Sequence, residues 1–152
     1  MLIKTHIVIT LFFSLLLVSY VKSPIFFLVF ALFATYLPDI DSKKSKIGNH
    51  IFLRPFQWFS RHRGMIHSFT FLFFLVFFLA LFFPIIALPF FVGYSSHLLS
   101  DSFTLKGIKP FYPFKKASSW KIRTGSIFET NIFLFFLIAD IFLFISKFSI
   151  IF

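Results

Sequence analysis

The chain contains no cysteine, and only 5 of its 152 residues are acidic. The absence of thiols excludes disulfides and thiolate metal sites, so only histidine, aspartate or glutamate could hold a metal ion. Charged residues make up 13% of the chain, well below the share in an average globular protein, whereas 59% of the residues are hydrophobic. This composition indicates one integral-membrane domain over residues 1–152 rather than a water-soluble domain.

Four apolar runs predict an all-α membrane protein; they cover residues 7–21, 25–37, 65–92 and 132–145. The third run would extend about 42 Å as one helix, against a hydrocarbon core of about 30 Å. Pro84 and Pro89 predict a break around residues 83–86, which would turn this run into a hairpin. We therefore expect a polytopic bundle of about five spans, of which the first is a retained span rather than a cleaved signal.

Positive charge is distributed unevenly around these runs, although the formal net charge is +10. Six basic residues lie in the segment 42–64, six lie in the segment 102–123, and Lys4 precedes the first run, while Lys22 and Lys147 remain. If the chain has five spans, the basic residues of these two segments and Lys4, thirteen in all, share one side of the membrane. The positive-inside rule predicts basic cytoplasmic loops, a cytoplasmic N-terminus and an external C-terminus in the inner membrane. We therefore expect anionic lipid headgroups as partners of the basic residues, and we do not expect the protein to bind nucleic acid.

Most of the histidines and acidic residues lie where an apolar run meets a polar segment. The same topology places all of these side chains at the cytoplasmic ends of the spans: His6, Asp39, Asp41, His62, His67, His97, Asp101 and Glu129. Imidazoles and carboxylates gathered from several helices are the donors of a metal site with mixed nitrogen and oxygen ligands. The remaining histidine, His50, is expected to be a solvated loop residue.

Each motif also has a purely structural interpretation. His97 and Asp101 share one helix face, as ligands or as a hydrogen-bonded pair. Asp39 and Asp41 would point to one side of an extended backbone, where a cation would relieve their repulsion, or they form a polar turn.

The other candidate residues leave similar alternatives open. His62 and His67 flank the flexible Gly64, so both could turn toward one ion, or they could belong to an interfacial basic cluster. His6 is a ligand or a residue reaching toward the headgroups. Glu129 fits a capping box with Ser126 but could also reach the site. Asp140 lies deeper in the last run, where an acid is costly and often functional, yet the sequence suggests no partner.

Six segments in this order resemble the YdjM-like family of membrane-bound, predicted metal-dependent hydrolases. They are Thr5-His6, LPDID (37–41), HRGMIHS (62–68), GYSSHLLSD (93–101), TLKGIKPFYPF (104–114) and RTGSIFE (123–129). The resemblance covers most of the chain and implies an inner-membrane hydrolase that uses a divalent metal.

The ligand types and the resemblance together predict hydrolysis of a phosphoester or lipid-linked substrate at the cytoplasmic face. The predicted metal ligands are His6, Asp39, Asp41, His62, His67, His97 and Asp101. Zinc suits this imidazole-rich set, and manganese would suit the carboxylates. Asp39 or Asp101 would serve as general base, and Arg63 with the lysines of 106–116 would hold an anionic substrate. The alternative is a membrane transporter or sensor that binds metal with the same ligands without hydrolysis.

Overall fold

The computed structural model describes residues 1–41, 64–114 and 116–151, and these ranges contain five α-helices. In chain order they are α1 (Ile3–Leu17), α2 (Pro24–Tyr36), α3 (Phe69–Phe82), α4 (Pro84–Ser102) and α5 (Ile127–Ile151). Short 3₁₀ turns, Val18–Tyr20 and Leu37–Asp41, follow α1 and α2. No β-strand occurs in the described ranges, which contain only isolated bridge pairs. The prediction of an all-α fold is confirmed.

The third apolar run forms the predicted hairpin. Helix α3 ends at Phe82, and α4 begins at Pro84, whose fixed φ and missing N–H suit the first turn of a helix. The Tyr94 hydroxyl of α4 donates a hydrogen bond to the carbonyl of Ile66, 2.8 Å away, just before α3. The two helices therefore run antiparallel, and the start of α3 lies beside the end of α4. Pro89 does not break the chain further, because it lies inside α4.

Helices α2 and α4 pack closely because small residues line their contact. A Cβ atom on Gly93 would lie 2.0 Å from the carbonyl oxygen of Ala31 and 2.9 Å from the Cβ of Ala34. Only glycine permits this approach of the two backbones, which is typical of packing between membrane helices. The hydrophobic core next to this contact includes Tyr94 and Leu98, which are almost fully buried.

Helices α1 and α5 lie side by side and run in the same direction. The rings of Phe12 and Phe136 meet edge to face with centroids 5.1 Å apart. Farther along both helices, Lys147 donates a hydrogen bond from Nζ to the Ser19 hydroxyl at 2.5 Å. This pairing brings the beginnings of α1 and α5 to the same end of the bundle as the ends of α2 and α4.

Two stretches of the described chain are long and apolar enough to cross a membrane, Ile3–Tyr20 and Ile127–Phe148. The apolar helices Pro24–Ile40 and Phe69–Phe82 are shorter, and fourteen residues extend only about 21 Å against a core of about 30 Å. Length and composition thus support two of the five predicted spans. Helix number and alternating direction agree with the prediction.

The segment that links α4 to α5 closes over the same end of the bundle. The backbones of Ile108 and Ser118 exchange two hydrogen bonds, of 2.9 and 2.8 Å. The N–H of Phe69, at the start of α3, donates to the carbonyl of Pro110 at 2.8 Å. These bonds fix the lysine-rich linker against the end of the bundle where the predicted site residues gather. Residues 50–60, whose mixture of basic and aromatic side chains predicts a segment along the headgroup plane, lie outside the described residues.

Candidate metal centre

Five of the predicted site residues meet at one end of the bundle. His6 lies in the first turns of α1, Asp39 in the turn after α2, His67 just before α3, and His97 and Asp101 in the last turns of α4. All of these side chains are buried except Asp39, whose side chain is 27% exposed. The predicted convergence is confirmed for these five. His62 and Arg63 lie outside the described residues, as does the side chain of Asp41.

His97 is held by the backbone of α2. Its Nδ1 lies 2.8 Å from the carbonyl oxygen of Thr35. A carbonyl can only accept, so we assign the ring proton to Nδ1, which leaves the lone pair on Nε2. That Nε2 is buried and has no hydrogen-bond partner among the described residues. An imidazole oriented by a carbonyl at one nitrogen, with the other nitrogen unprotonated, is prepared to bind a metal.

Asp39, His67 and His97 form the first of two overlapping clusters that could hold an ion. Asp39 Oδ1 lies 3.8 Å from His97 Nε2 and 3.9 Å from His67 Nε2. Two ligand atoms bound to one tetrahedral zinc lie about 3.3 Å apart, so small side-chain movements would complete the coordination. The two imidazole planes are inclined by 68°, which allows both in-plane lone pairs to point at one position.

His6, His97 and Asp101 form the second cluster, but its ring geometry differs. The rings of His6 and His97 are stacked, with centroids 4.0 Å apart and planes inclined by only 6°. Since each nitrogen lone pair lies in its ring plane, two stacked rings direct their lone pairs along separate planes, which disfavours binding of both to one ion. His97 also has only one lone pair to give. The geometry therefore favours one ion at Asp39, His67 and His97 over two ions that share His97.

Asp101 is already surrounded by positive or hydrogen-bonding groups. Its Oδ1 accepts from the amino group of Met1 at 2.7 Å and lies 3.5 Å from His6 Nε2. Its Oδ2 lies 4.0 Å from His97 Nε2. The carboxylate therefore lies next to the Asp39 cluster with partners of its own and is not one of the three residues of that cluster.

Of the two alternatives for Asp39 and Asp41, the structure has the turn and not the extended backbone. Residues Leu37–Asp41 form a 3₁₀ turn, in which successive residues are rotated by about 120° about the axis. Pro38 suits such a turn because its φ is fixed near the helical value. The turn carries the Asp39 carboxylate from the end of α2 to the imidazoles of α4 and of the α3 entry. Of the predicted pair, only Asp39 is described in the cluster.

Comparison with known proteins agrees with the predicted resemblance. The family model described as YdjM inner membrane protein matches residues 1–151. The chain belongs to this family. No curated protein and no solved structure matches it in the same comparisons. The family description supports a location in the inner membrane, in agreement with the apolar helices.

In this YdjM family member, Glu129 has a structural role. Its Oε1 accepts a hydrogen bond of 2.6 Å from the N–H of Leu2, which precedes α1, and its Oε2 accepts one of 2.6 Å from Gly125. The Ser126 hydroxyl in turn accepts from the N–H of Glu129 at 3.3 Å. The carboxylate thus caps the beginnings of both α1 and α5. It belongs to neither of the two candidate metal clusters.

Two residues that position the site were missed in the sequence. Thr35 orients His97 through its carbonyl oxygen, a backbone group that no side-chain pattern reveals. Gly93 allows α4 to approach α2, and it lies one turn before His97. The signal for this contact was present, because Ala31 and Ala34 on α2 and Gly93 on α4 are the small residues that membrane helices use where they pack closely.

Proposed function

We propose that this protein is a membrane-bound, metal-dependent hydrolase that acts on a phosphoester of an anionic, lipid-linked substrate at the cytoplasmic face. The observation that carries the proposal is the Asp39, His67 and His97 cluster, whose two crossed imidazoles and one carboxylate can converge on one ion. Three protein ligands leave a coordination position open, as catalytic sites do and closed structural sites do not.

A divalent ion at this cluster would supply a Lewis acid that polarises a phosphoryl or carbonyl oxygen and makes water easier to deprotonate. Asp39 would hold the ion on the exposed side of the cluster. His67 and His97 would hold it from the buried side. Zinc fits two imidazoles and one carboxylate, and manganese is the alternative.

Asp101 is the residue that we assign as general base. Its Oδ2 lies 4.0 Å from the Nε2 that His97 would give to the ion, so the carboxylate would be close to a water molecule bound at the open position. His6, 3.5 Å from the other carboxylate oxygen, would orient Asp101 and take part in the onward movement of the proton. This division leaves Asp39 as ligand and Asp101 as base.

The positive charge of the linker between α4 and α5 favours an anionic substrate. No acidic residue lies between Asp101 and Glu129, whereas the segment carries six basic residues. Lys106 and Lys109 are exposed, and their neighbour Pro110 accepts a hydrogen bond from the first residue of α3, two positions after His67. Exposed aromatic residues in the same segment, Phe111, Phe114 and Trp120, suit the headgroup region of a bilayer. Arg63, which lies outside the described residues, is proposed from the sequence alone as a further cation that holds the substrate.

The orientation follows from the same charges. All described site residues lie at the end of the bundle that also carries the basic linker, so the positive-inside rule would place that end in the cytoplasm. Five helices that alternate in direction would then cross the membrane with the N-terminus inside and the C-terminus outside. The shorter α2 and α3 would need local thinning of the bilayer or flanking residues that reach the interface.

The direct test is hydrolysis by purified protein loaded with zinc or manganese in detergent, with small phosphodiesters and anionic phospholipids as substrates. We expect turnover that a chelator abolishes and that Asp101→Asn lowers by at least about 100-fold while metal remains bound. Metal flux into proteoliposomes without hydrolysis of any of these substrates would instead support a transporter that uses the same ligands.

A further inference from the structure

Asp140 is a buried acid in the middle of α5 that the proposed hydrolase does not use. Its residue is 3% exposed, whereas Ile138 and Phe142, two positions away on either side, are 68% and 72% exposed. Both carboxylate oxygens are buried and have no hydrogen-bond partner among the described residues. An ionised carboxylate in such surroundings is very costly unless a positive charge accompanies it.

Ser14 is the polar residue of α1 at the level of Asp140. The parallel helices are in register at Phe12 with Phe136 and at Ser19 with Lys147, so Asp140 faces the part of α1 between these contacts. Leu143, one turn after Asp140, packs against Leu15 and Val18. Ser14 is fully buried, and its hydroxyl also has no hydrogen-bond partner among the described residues.

A row of polar groups leads from this pair toward the metal centre. Ser14, Thr10 and His6 are spaced four residues apart and therefore share one face of α1. The Thr35 hydroxyl of α2 donates to the Thr10 hydroxyl at 2.8 Å. The carbonyl of the same Thr35 accepts from His97. Buried hydroxyls thus continue from the candidate ligands to the level of Asp140, about 12 Å along α1 from His6.

The charges around Asp140 determine what could bind there. The part of α1 at the level of Asp140, residues 11–17, carries no titratable group, and α2 contributes only Tyr36 at its far end. Tyr20, in the turn after α1, is 85% exposed. Lys147 lies seven residues farther along α5 and is bonded to Ser19. One carboxylate and a neutral hydroxyl balance a single positive charge, whereas a divalent ion would leave an excess charge buried.

We infer that Asp140 and Ser14 form a site inside the bundle that binds one singly charged cation, either a proton or a sodium ion. Carboxylate and hydroxyl oxygens are suitable donors for both. The site is distinct from the candidate metal centre, which has imidazole ligands and lies about two turns away. The Asp140 site would also not serve in the transport of a divalent metal ion, since its single carboxylate cannot balance two positive charges.

Infrared difference spectroscopy between the wild type and Asp140→Asn in detergent tests this inference. In a buffer whose only cation is a large organic one, we expect the carbonyl band of a protonated carboxylic acid in the wild type and its absence in the variant. If sodium is the ligand, added sodium chloride converts the band to that of a carboxylate. If the proton is the ligand, the band persists in sodium.

The inference is wrong if Asp140 is ionised in the sodium-free buffer. A second variant, Ser14→Ala, removes only the hydroxyl and serves even if Asp140→Asn does not fold. We expect it to shift the carboxylic acid band, because the hydroxyl that would share the bound cation with the acid is removed. The matched control is Ser146→Ala on α5, an exposed serine, which should leave the band in place. Equal spectra for Ser14→Ala and Ser146→Ala would also overturn the site.

Discussion

The imidazole rings of His6 and His97 are stacked almost in parallel, with centroids 4.0 Å apart. Parallel rings direct their lone pairs along separate planes, which disfavours binding of both histidines to one ion. His67 could bind one ion together with His97, because its ring is inclined by 68° to the ring of His97. We therefore propose different roles for the histidines of this end of the bundle, with His67 and His97 as metal ligands and His6 as the partner of Asp101.

This division predicts unequal effects of two alanine substitutions on metal affinity. His67→Ala should weaken zinc binding by more than about 100-fold, because loss of a ligand costs more than the 10–100-fold typical of an outer partner. His6→Ala should weaken zinc binding less, by at most about 100-fold, because His6 would be an outer partner and not a ligand. Zinc titration in competition with a chromogenic chelator measures both. If His6→Ala is the more damaging change, the ion belongs to the His6, His97 and Asp101 cluster.

The contact between α2 and α4 predicts sensitivity at Gly93. In Gly93→Ala the new Cβ would lie 2.0 Å from the Ala31 carbonyl oxygen, so the helices must separate. We expect a loss of about 1–3 kcal/mol in stability, as in other overpacked cores, together with weaker zinc binding, since α4 would move His97 away from Thr35.

Thermal unfolding in detergent, with and without zinc, measures the effect. Ser95→Ala, a polar-to-small change two residues farther along α4, is the control and should stay within about 0.5 kcal/mol. A Gly93→Ala variant as stable as this control would mean that α2 and α4 do not pack as closely as described.

The two caps held by Glu129 predict a structural effect without loss of metal. Glu129→Gln keeps one acceptor oxygen and replaces the other by an amide that cannot accept the N–H of Leu2 or Gly125. Loss of one hydrogen bond to a charged group should lower the free energy of unfolding by about 1.5–3 kcal/mol. Zinc content at saturation should match the wild type. Unchanged stability with reduced zinc would identify Glu129 as a ligand instead of a cap.

The alternating helices predict a defined topology. Reporter fusions should place the loops 42–64 and 102–123 in the cytoplasm and the C-terminus outside, because thirteen basic residues then lie on the cytoplasmic side. The control is a fusion at the α3–α4 junction, near Phe83, which should report an external position. A cytoplasmic C-terminus would contradict the arrangement of five spans.

The gathering of the site could be predicted from the sequence, whereas its internal geometry could not. Apolar runs and prolines determine how many times the chain reverses, and each reversal brings His6, His67 or His97 back to the same end of the bundle. Which rings stack and which cross depends on how each helix is rotated about its axis, and small residues such as Gly93 and Ala31 set this rotation. The Thr35 carbonyl and the turn at Leu37–Asp41 are backbone features, so the pattern of side chains gave no sign of them.

The central claim is that His97, oriented by Thr35, holds a divalent ion together with Asp39 and His67. Elemental analysis of the protein purified in detergent and equilibrated with zinc tests it most directly. We predict about one zinc per chain for the wild type and for the control His50→Ala, and almost none for His97→Ala. Equal zinc in all three proteins, with His97→Ala still folded, would contradict the account.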